Sequence, residues 1–232
     1  FRIHIHTDQP AEVFDELLQF GHIISQKVDD MIQDKAFIDS EHDTVIVTDS
    51  IADLDQKFIQ DHHIAMIPIN LTVDGISYKD KVTINNDLLF DIIDTGIEYP
   101  TSSAPSIKAV NDLFTKLLLH YKHIIVILVA EKLSATYQVV KGQADLLVKK
   151  GRDIRVIDSY NNSASEGLLV RRAALMVQEG KTADQIEKKI KKLRLKTEVL
   201  VCLESFKYAT MSGRLPKAVG KIGMLFGIRP IM

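Results

Sequence analysis

An α/β fold with a mainly parallel sheet and helices on both faces is what this sequence predicts, and two observations carry the prediction. Strand-like and helical patterns alternate along most of its 232 residues. The clearest strand segments, such as TVIVT at 44–48 and IIVILVA at 124–130, are apolar at nearly every position, as strands buried between two helix layers must be. With 46% hydrophobic and 26% charged residues, the chain has ordinary globular composition and enough length for one large or two small domains.

Taken in order, residues 1–28 form a small α/β unit of their own. It has a strand at 2–6, a helix that starts at Pro10 and ends before Gly21, and a second strand, HIISQKV. DDMIQDKAFIDSEHD follows, acidic and without a strong period, and reads as a linker over 29–43. From 44 to 232 a second domain is expected. Its strands fall at 44–48, 64–71, 123–130, 154–157 and 198–203, with a hairpin at VDGISY around Asp74 and Gly75. Its helices fall near 86–94, 106–120, 135–150, 163–179, 183–194 and 216–226, several of them ended by a glycine. The chain opens on FRIHIHTD without a methionine and stops at IRPIM beside a strand-like stretch, so a fragment of a longer protein is expected.

A formal net charge of −2 gives no general pull toward nucleic acid or anionic membrane. The basic run KKIKKLRLK at 188–196 has an apolar stripe at Ile186, Ile190 and Leu193 and reads as a solvated helix face. The single cysteine, Cys202, excludes an intramolecular disulfide, reads as a buried thiol and suits the cytoplasm.

In open α/β sheets ligands bind outside the carboxyl ends of the strands. The loops expected there are DSIAD with Asp49, Ser50 and Asp53, EKLSATY with Ser134, Thr136 and Tyr137, and DSYNNSAS with Asp158 and Asn162. PTSSAPS at 100–106 opens a helix leading back toward one of those strands, which places its hydroxyls at the same end. Each of these residues also has a simpler use as a helix cap. The loops hold no histidine or cysteine placed as base or nucleophile, and neither a GxxxxGK[ST] nor a GxGxxG phosphate loop. Hydroxyls without a base bind an anion better than they break a bond, which favours a site for a carboxylate or phosphate. The enzymatic alternative makes Asp49, Asp53 and Asp158 a metal-assisted phosphoryl-transfer site. A third reading is regulatory, with residues 1–28 as a homodimerisation element.

The ordered landmarks VTDSIAD (47–53), SSAPS (102–106), LSATY (133–137), RVIDS (155–159), SGR (212–214) and IRPI (228–231) resemble those of the DegV family of bacterial fatty-acid-binding proteins. The resemblance implies a long-chain acyl group whose carboxylate is held by hydroxyls of Ser102 and Ser103 and of Ser134, with Thr136 in support. It implies no cofactor for this domain. Ile51, Ile67, Ile69 and Leu168 are candidates for lining the acyl tunnel, and plain core positions otherwise. Arg214 is a candidate contact for a phosphate or a partner, and an idle surface arginine otherwise. The chain departs from the pattern at Ile51 for threonine, Ala104 for glutamine, and Ala135 and Ser212 for glycines.

IHIHTDQPAEVFDELLQFG is similar to the middle domain of fatty-acid kinases related to dihydroxyacetone kinase. That resemblance implies a fusion in which a kinase domain, in the same chain or a partner chain, receives the acyl carboxylate. Catalysis then lies in the kinase part and not in 44–232. It also implies zinc at His4 and His6, which lie two apart on a strand and so share a face. Two surface histidines on an edge strand are the other reading.

Overall fold

The computed structural model describes residues 1–21, 23–95, 99–203, 206–212 and 231. They fall into two compact units, Phe1–Thr197 and Glu198–Met232. In the first unit, helix α1 (Pro10–Leu18) begins with proline at its first turn and is followed by α2 (Met31–Ile38), whose first turn is capped by Asp30 accepting from the Gln33 amide. Residues 31–38, expected as linker, are therefore helical. Phe37 at the end of α2 is 1% exposed and belongs to the core.

The main sheet contains β1 (Thr44–Asp49), β2 (Ala65–Ile67), β6 (His123–Leu128) and β7 (Asp153–Asp158), in the order β2-β1-β6-β7 and parallel throughout. Alternation along β1 sorts the core. Ile46 faces α3 (Gln56–Asp61), α7 (Ser163–Gln178) and α8 (Ala183–Leu193) through Phe58, Ile59, Leu169, Val170 and Ile186. Val45 and Val47 face α2, α5 (Ile107–Leu117) and α6 (Thr136–Val148) through Phe37, Val110, Phe114 and Val140. Each face is thus covered by helices, as the continuous apolar runs predict.

A second sheet is inserted between β2 and α5. The expected strand over 64–71 breaks at Pro68, which has no N–H to give to a ladder, and the chain leaves the main sheet to form β3 (Asn70–Val73). β3 turns at Asp74 and Gly75, both at positive φ (48° and 79°), into β4 (Ile76–Lys79), the backbone that a two-residue hairpin with right-handed twist needs. After α4 (Asn86–Thr95) comes β5 (Thr101–Ser103), antiparallel to β3, giving the order β4-β3-β5. PTSSAPS is therefore part strand and part cap: Ser106 Oγ accepts from the Ala109 amide at the start of α5.

Three further expectations are corrected. Residues 2–6 and 23–28 form no strand and pair with none among the described residues. In the second unit EVLVCL is not a strand: its ladder is a single bridge between Cys202 and Ile231, and Leu200 is 79% exposed. Cys202 is exposed, not buried, because no sheet among the described residues covers it. That unit also holds α9 (Lys207–Met211), and the helix expected at 216–226 lies outside the described residues. Among the described residues, no helix is long and apolar enough to cross a membrane.

Candidate functional site at the carboxyl ends of the main sheet

The strand order reverses between β1 and β6. From β1 the chain winds outward to β2, then crosses to β6 on the other side of β1, so the loops after β1 and β6 flank the switch point at which open α/β sheets hold their ligands. Asp49, buried at the end of β1, stands at that switch point. Its Oδ1 accepts from the Ile51 amide in its own loop, and its Oδ2 accepts from the Val129 amide across the gap, both at 2.9 Å. Ser50 next to it accepts from the Ile69 amide (3.1 Å), which ties the loop to the entry of the small sheet. Lys81, beyond the end of β4, donates to the Ala52 carbonyl at 3.0 Å and makes a second tie.

The loop after β6 carries Ser134, whose hydroxyl donates to Thr136 Oγ1 (2.9 Å) and accepts from the Thr136 amide (3.2 Å). Ser134 is half-buried and Thr136 fully buried at the start of α6. The loop after β7 is held by Asp158, which accepts from the Glu131 and Tyr160 amides. Arg194 from the end of α8 donates to the Asp158 carbonyl (2.7 Å) and stacks on the Tyr160 ring. Asp53 is exposed. Both Asp49 oxygens and Asp158 Oδ1 are thus taken by backbone amides, and the expected helix caps at Asp49, Ser50 and Asn162 are not made.

The structure brings Ser134 and Thr136 into contact and places Ser102 and Ser103 on a different element, the edge strand β5. Cross-strand pairing fixes their directions. Ser102 lies opposite Leu71, itself opposite Tyr78, on the apolar face of the small sheet. Ser103 lies opposite Asn70, itself opposite Lys79, on the polar face. Both serines are exposed. Of the tunnel candidates, Ile67 and Ile69 are buried, Ile51 is half-buried, and Leu168 is 60% exposed on α7. Arg214 lies outside the described residues.

Glu166 is the residue that reading by loops missed. It is fully buried in the first turns of α7; one oxygen accepts from Thr48 Oγ1 at 3.5 Å, and the other has no hydrogen-bond partner among the described residues. Burial above all, and then the neighbouring Asp49 charge, push its carboxyl up to about 10, so it is a neutral acid at physiological pH. Burial likewise raises Asp49 to about 6 against the opposing pull of its amide hydrogen bonds. Next to Glu166, a Cβ on Gly167 would lie 2.2 Å from the Asp53 carbonyl oxygen, so only glycine lets α7 approach the β1 loop this closely.

In the N-terminal segment, His4 and His6 Nε2 atoms lie 3.3 Å apart with their rings nearly perpendicular. Among the described residues, no group of three or more His, Cys, Asp or Glu side chains is placed to hold a metal.

Residues 43–232 match the DegV family, described as an uncharacterised protein family, and residues 1–37 match a FakA-like family described as the middle domain of a fatty acid kinase. A DegV domain-containing protein of Clostridium acetobutylicum is 36% identical over 187 residues, covering 81% of this chain and 66% of that protein. Among solved structures, a fatty-acid-binding DegV family protein from Thermus thermophilus superposes with a TM-score of 0.71 at 23% identity, over 81% of this chain and 66% of that one. The fatty acid kinase B3 protein of Streptococcus pneumoniae, loaded with linoleic acid, gives 0.70 at 20% identity, over 81% and 67%. At these identities the two structures show a shared fold. The chain spans 66% of the length of the curated relatives it matches.

Proposed function

The chain belongs to the DegV family, and on that premise we propose that it binds a long-chain fatty acid and presents the acyl carboxylate to a dihydroxyacetone-kinase-like unit for phosphorylation. The observation that carries the reading is the succession, in one chain, of a fatty-acid-kinase middle-domain match at 1–37 and a DegV match at 43–232. Fusion of carrier and kinase raises the effective concentration of one for the other without any new contact. We place the boundary within 29–43, where α2 connects the two parts, and the protein in the cytoplasm.

The carboxylate is assigned to hydroxyls of β5, Ser102 and Ser103, and to Ser134 with Thr136 in support at the start of α6; since Ser102 and Ser103 point to opposite faces of β5, only one of them at a time can face the carboxylate. A buried tail contributes about 0.8 kcal/mol per CH₂, so the apolar tail supplies most of the affinity and the hydroxyls fix which end is presented. No base or nucleophile is assigned in 44–232, and the phosphoryl transfer belongs to the kinase unit. The alternative phosphoryl-transfer site at Asp49 and Asp53 has less support, since both Asp49 oxygens are held by backbone amides.

Zinc at His4 and His6 fits as half a site. Two nitrogens each about 2.0–2.1 Å from a tetrahedral zinc lie about 3.3 Å apart, the separation found here. These two histidines supply two of the four ligands a structural zinc takes.

Native mass spectrometry of protein purified from cells tests the proposal, and a co-purifying long-chain acid is expected. Ser102→Ala and Ser134→Ala should each weaken fatty-acid binding about tenfold or more, the value of a hydrogen bond to a charged group. Protein that takes up no acid on titration overturns the function; unchanged affinity in both variants overturns the residue assignment.

A further inference from the structure

Helix α1 lies in the segment that matches the kinase middle domain, yet its last residue, Leu18, packs on the DegV part. Val13, Phe14, Leu17 and Leu18 are half-buried while Glu12, Asp15, Glu16 and Gln19 are exposed, an amphipathic pattern at helical spacing. Leu18 packs against the cluster built from Val73, Tyr78 and Ile84, together with Leu71 and Ile76 of the small sheet and Leu88, Leu89 and Ile92 of α4. Asp15 is close enough for its charge to add to the burial that raises the Tyr78 phenol.

Register gives this contact its meaning. Leu71 and Tyr78 are directly opposite each other, and Ser102 of β5 is opposite Leu71, so all three stand on one face of the sheet. Ser103, one residue on, points to the other face with Asn70 and Lys79. The helix from the kinase-type segment and Ser102 therefore share a face of the small sheet.

We propose that the apolar face of the small sheet, with α4, is the docking surface for the kinase-type unit, occupied in cis by α1, and that it sets that unit on the side of the sheet that carries Ser102. This rests on the fatty-acid reading for its purpose but not for its test. The small sheet is itself latched to the switch-point loops through Ser50 and Lys81, so a unit docked on it has a fixed position relative to the switch point. Of the two β5 serines, Ser102 is then the one that faces the phosphorylating unit.

The test is amide hydrogen exchange with light scattering on the intact chain. Leu18→Ser should raise exchange about tenfold or more across 10–18 and in the β3–β4 hairpin, while β1 and β6 keep their protection, because only the local opening is made easier. Ile24→Ser, at a residue 98% exposed and outside the cluster, should leave exchange unchanged. The proposal is overturned if 10–18 exchanges like an unstructured peptide in the unaltered protein, or if Ile24→Ser loosens α1 as much as Leu18→Ser does. It is equally overturned if the unaltered protein is a dimer that Leu18→Ser converts to monomer, since α1 would then come from a second copy. A protein whose α1 is protected as expected but which binds no fatty acid sinks the carrier reading and leaves the docking surface standing.

Discussion

The two ends of the main sheet use the same residue type in opposite ways. At the carboxyl end Asp49 is buried with no cation bonded to it among the described residues, both oxygens taken by backbone amides, and its carboxyl is raised to about 6. At the amino end Asp153 accepts from the Arg155 Nε and Nη2 and from His123 Nδ1, and the Arg155 hydrogen bond holds its carboxyl below the ordinary value. Arg155 also reaches Asp184 and Glu187 on α8. One end is desolvated and shaped by amides; the other is a solvated ion-pair network. The difference marks the carboxyl end as the one that holds an acid at a cost: burial of an acid without a paired cation is unfavourable and persists where the surrounding loops over-determine it.

The strongest way to break the comparison is to delete the acid at the costly end. Asp49→Ala leaves the Ile51 and Val129 amides without their acceptor, and about 3 kcal/mol of stability should be lost. Denaturant unfolding measures this. A loss no larger than that of Asp153→Ala would show that the switch-point loops hold themselves without Asp49.

pH separates the two ends by sign. Glu166, raised from 4.5 to about 10, keeps its proton after the unfolded chain has released it. The unfolded state then binds fewer protons, so this stabilisation is full below about pH 4.5 and is lost as pH rises toward 10. Asp49 adds the same sign between 3.8 and about 6. Asp153, lowered, contributes the opposite sign: its stabilisation is present above 3.8 and lost as pH falls below it. One proton is worth about 1.4 kcal/mol per pH unit. Glu166→Gln keeps the shape of the neutral acid without its proton, so unfolding midpoints of the variant should fall less between pH 6 and 9 than those of the wild type. Equal slopes would mean that Glu166 is ionised in the folded protein.

Much of this is legible in the sequence, for reasons that differ by residue. β1 and β6 are apolar runs with one reading, β7 is a strand in which Arg155 interrupts the apolar residues, and the polar loops after them fall at the end where open sheets hold ligands. Pro68 is visible as a breaker, but that it sends the chain into a second sheet depends on pairing with β5, three hydroxyl residues with no strand signal of their own. EVLVCL carries a strong strand pattern that finds only a single-bridge partner among the described residues, because pattern specifies a buried face and not the neighbour that buries it. Glu166 reads as an ordinary helical glutamate, yet its position holds a signal. It stands four residues before Val170 and seven and eight before Ala173 and Ala174, on the buried stripe of α7, with Ser165 and Gly167 beside it to allow close packing.

The smallest effect belongs at the solvated end. Asp184 is 85% exposed where it meets Arg155, and Asp184→Ala should change stability by less than about 0.5 kcal/mol. Arg155 keeps both of its bonds to Asp153 and its contact with Glu187, so the guanidinium is not stranded when Asp184 goes. Salt screens an exposed pair, so the small effect should shrink further at high ionic strength. A loss of several kcal/mol, insensitive to salt, would mean that the network is as tightly bound into the fold as Asp49 is, and the contrast between the two ends would fail.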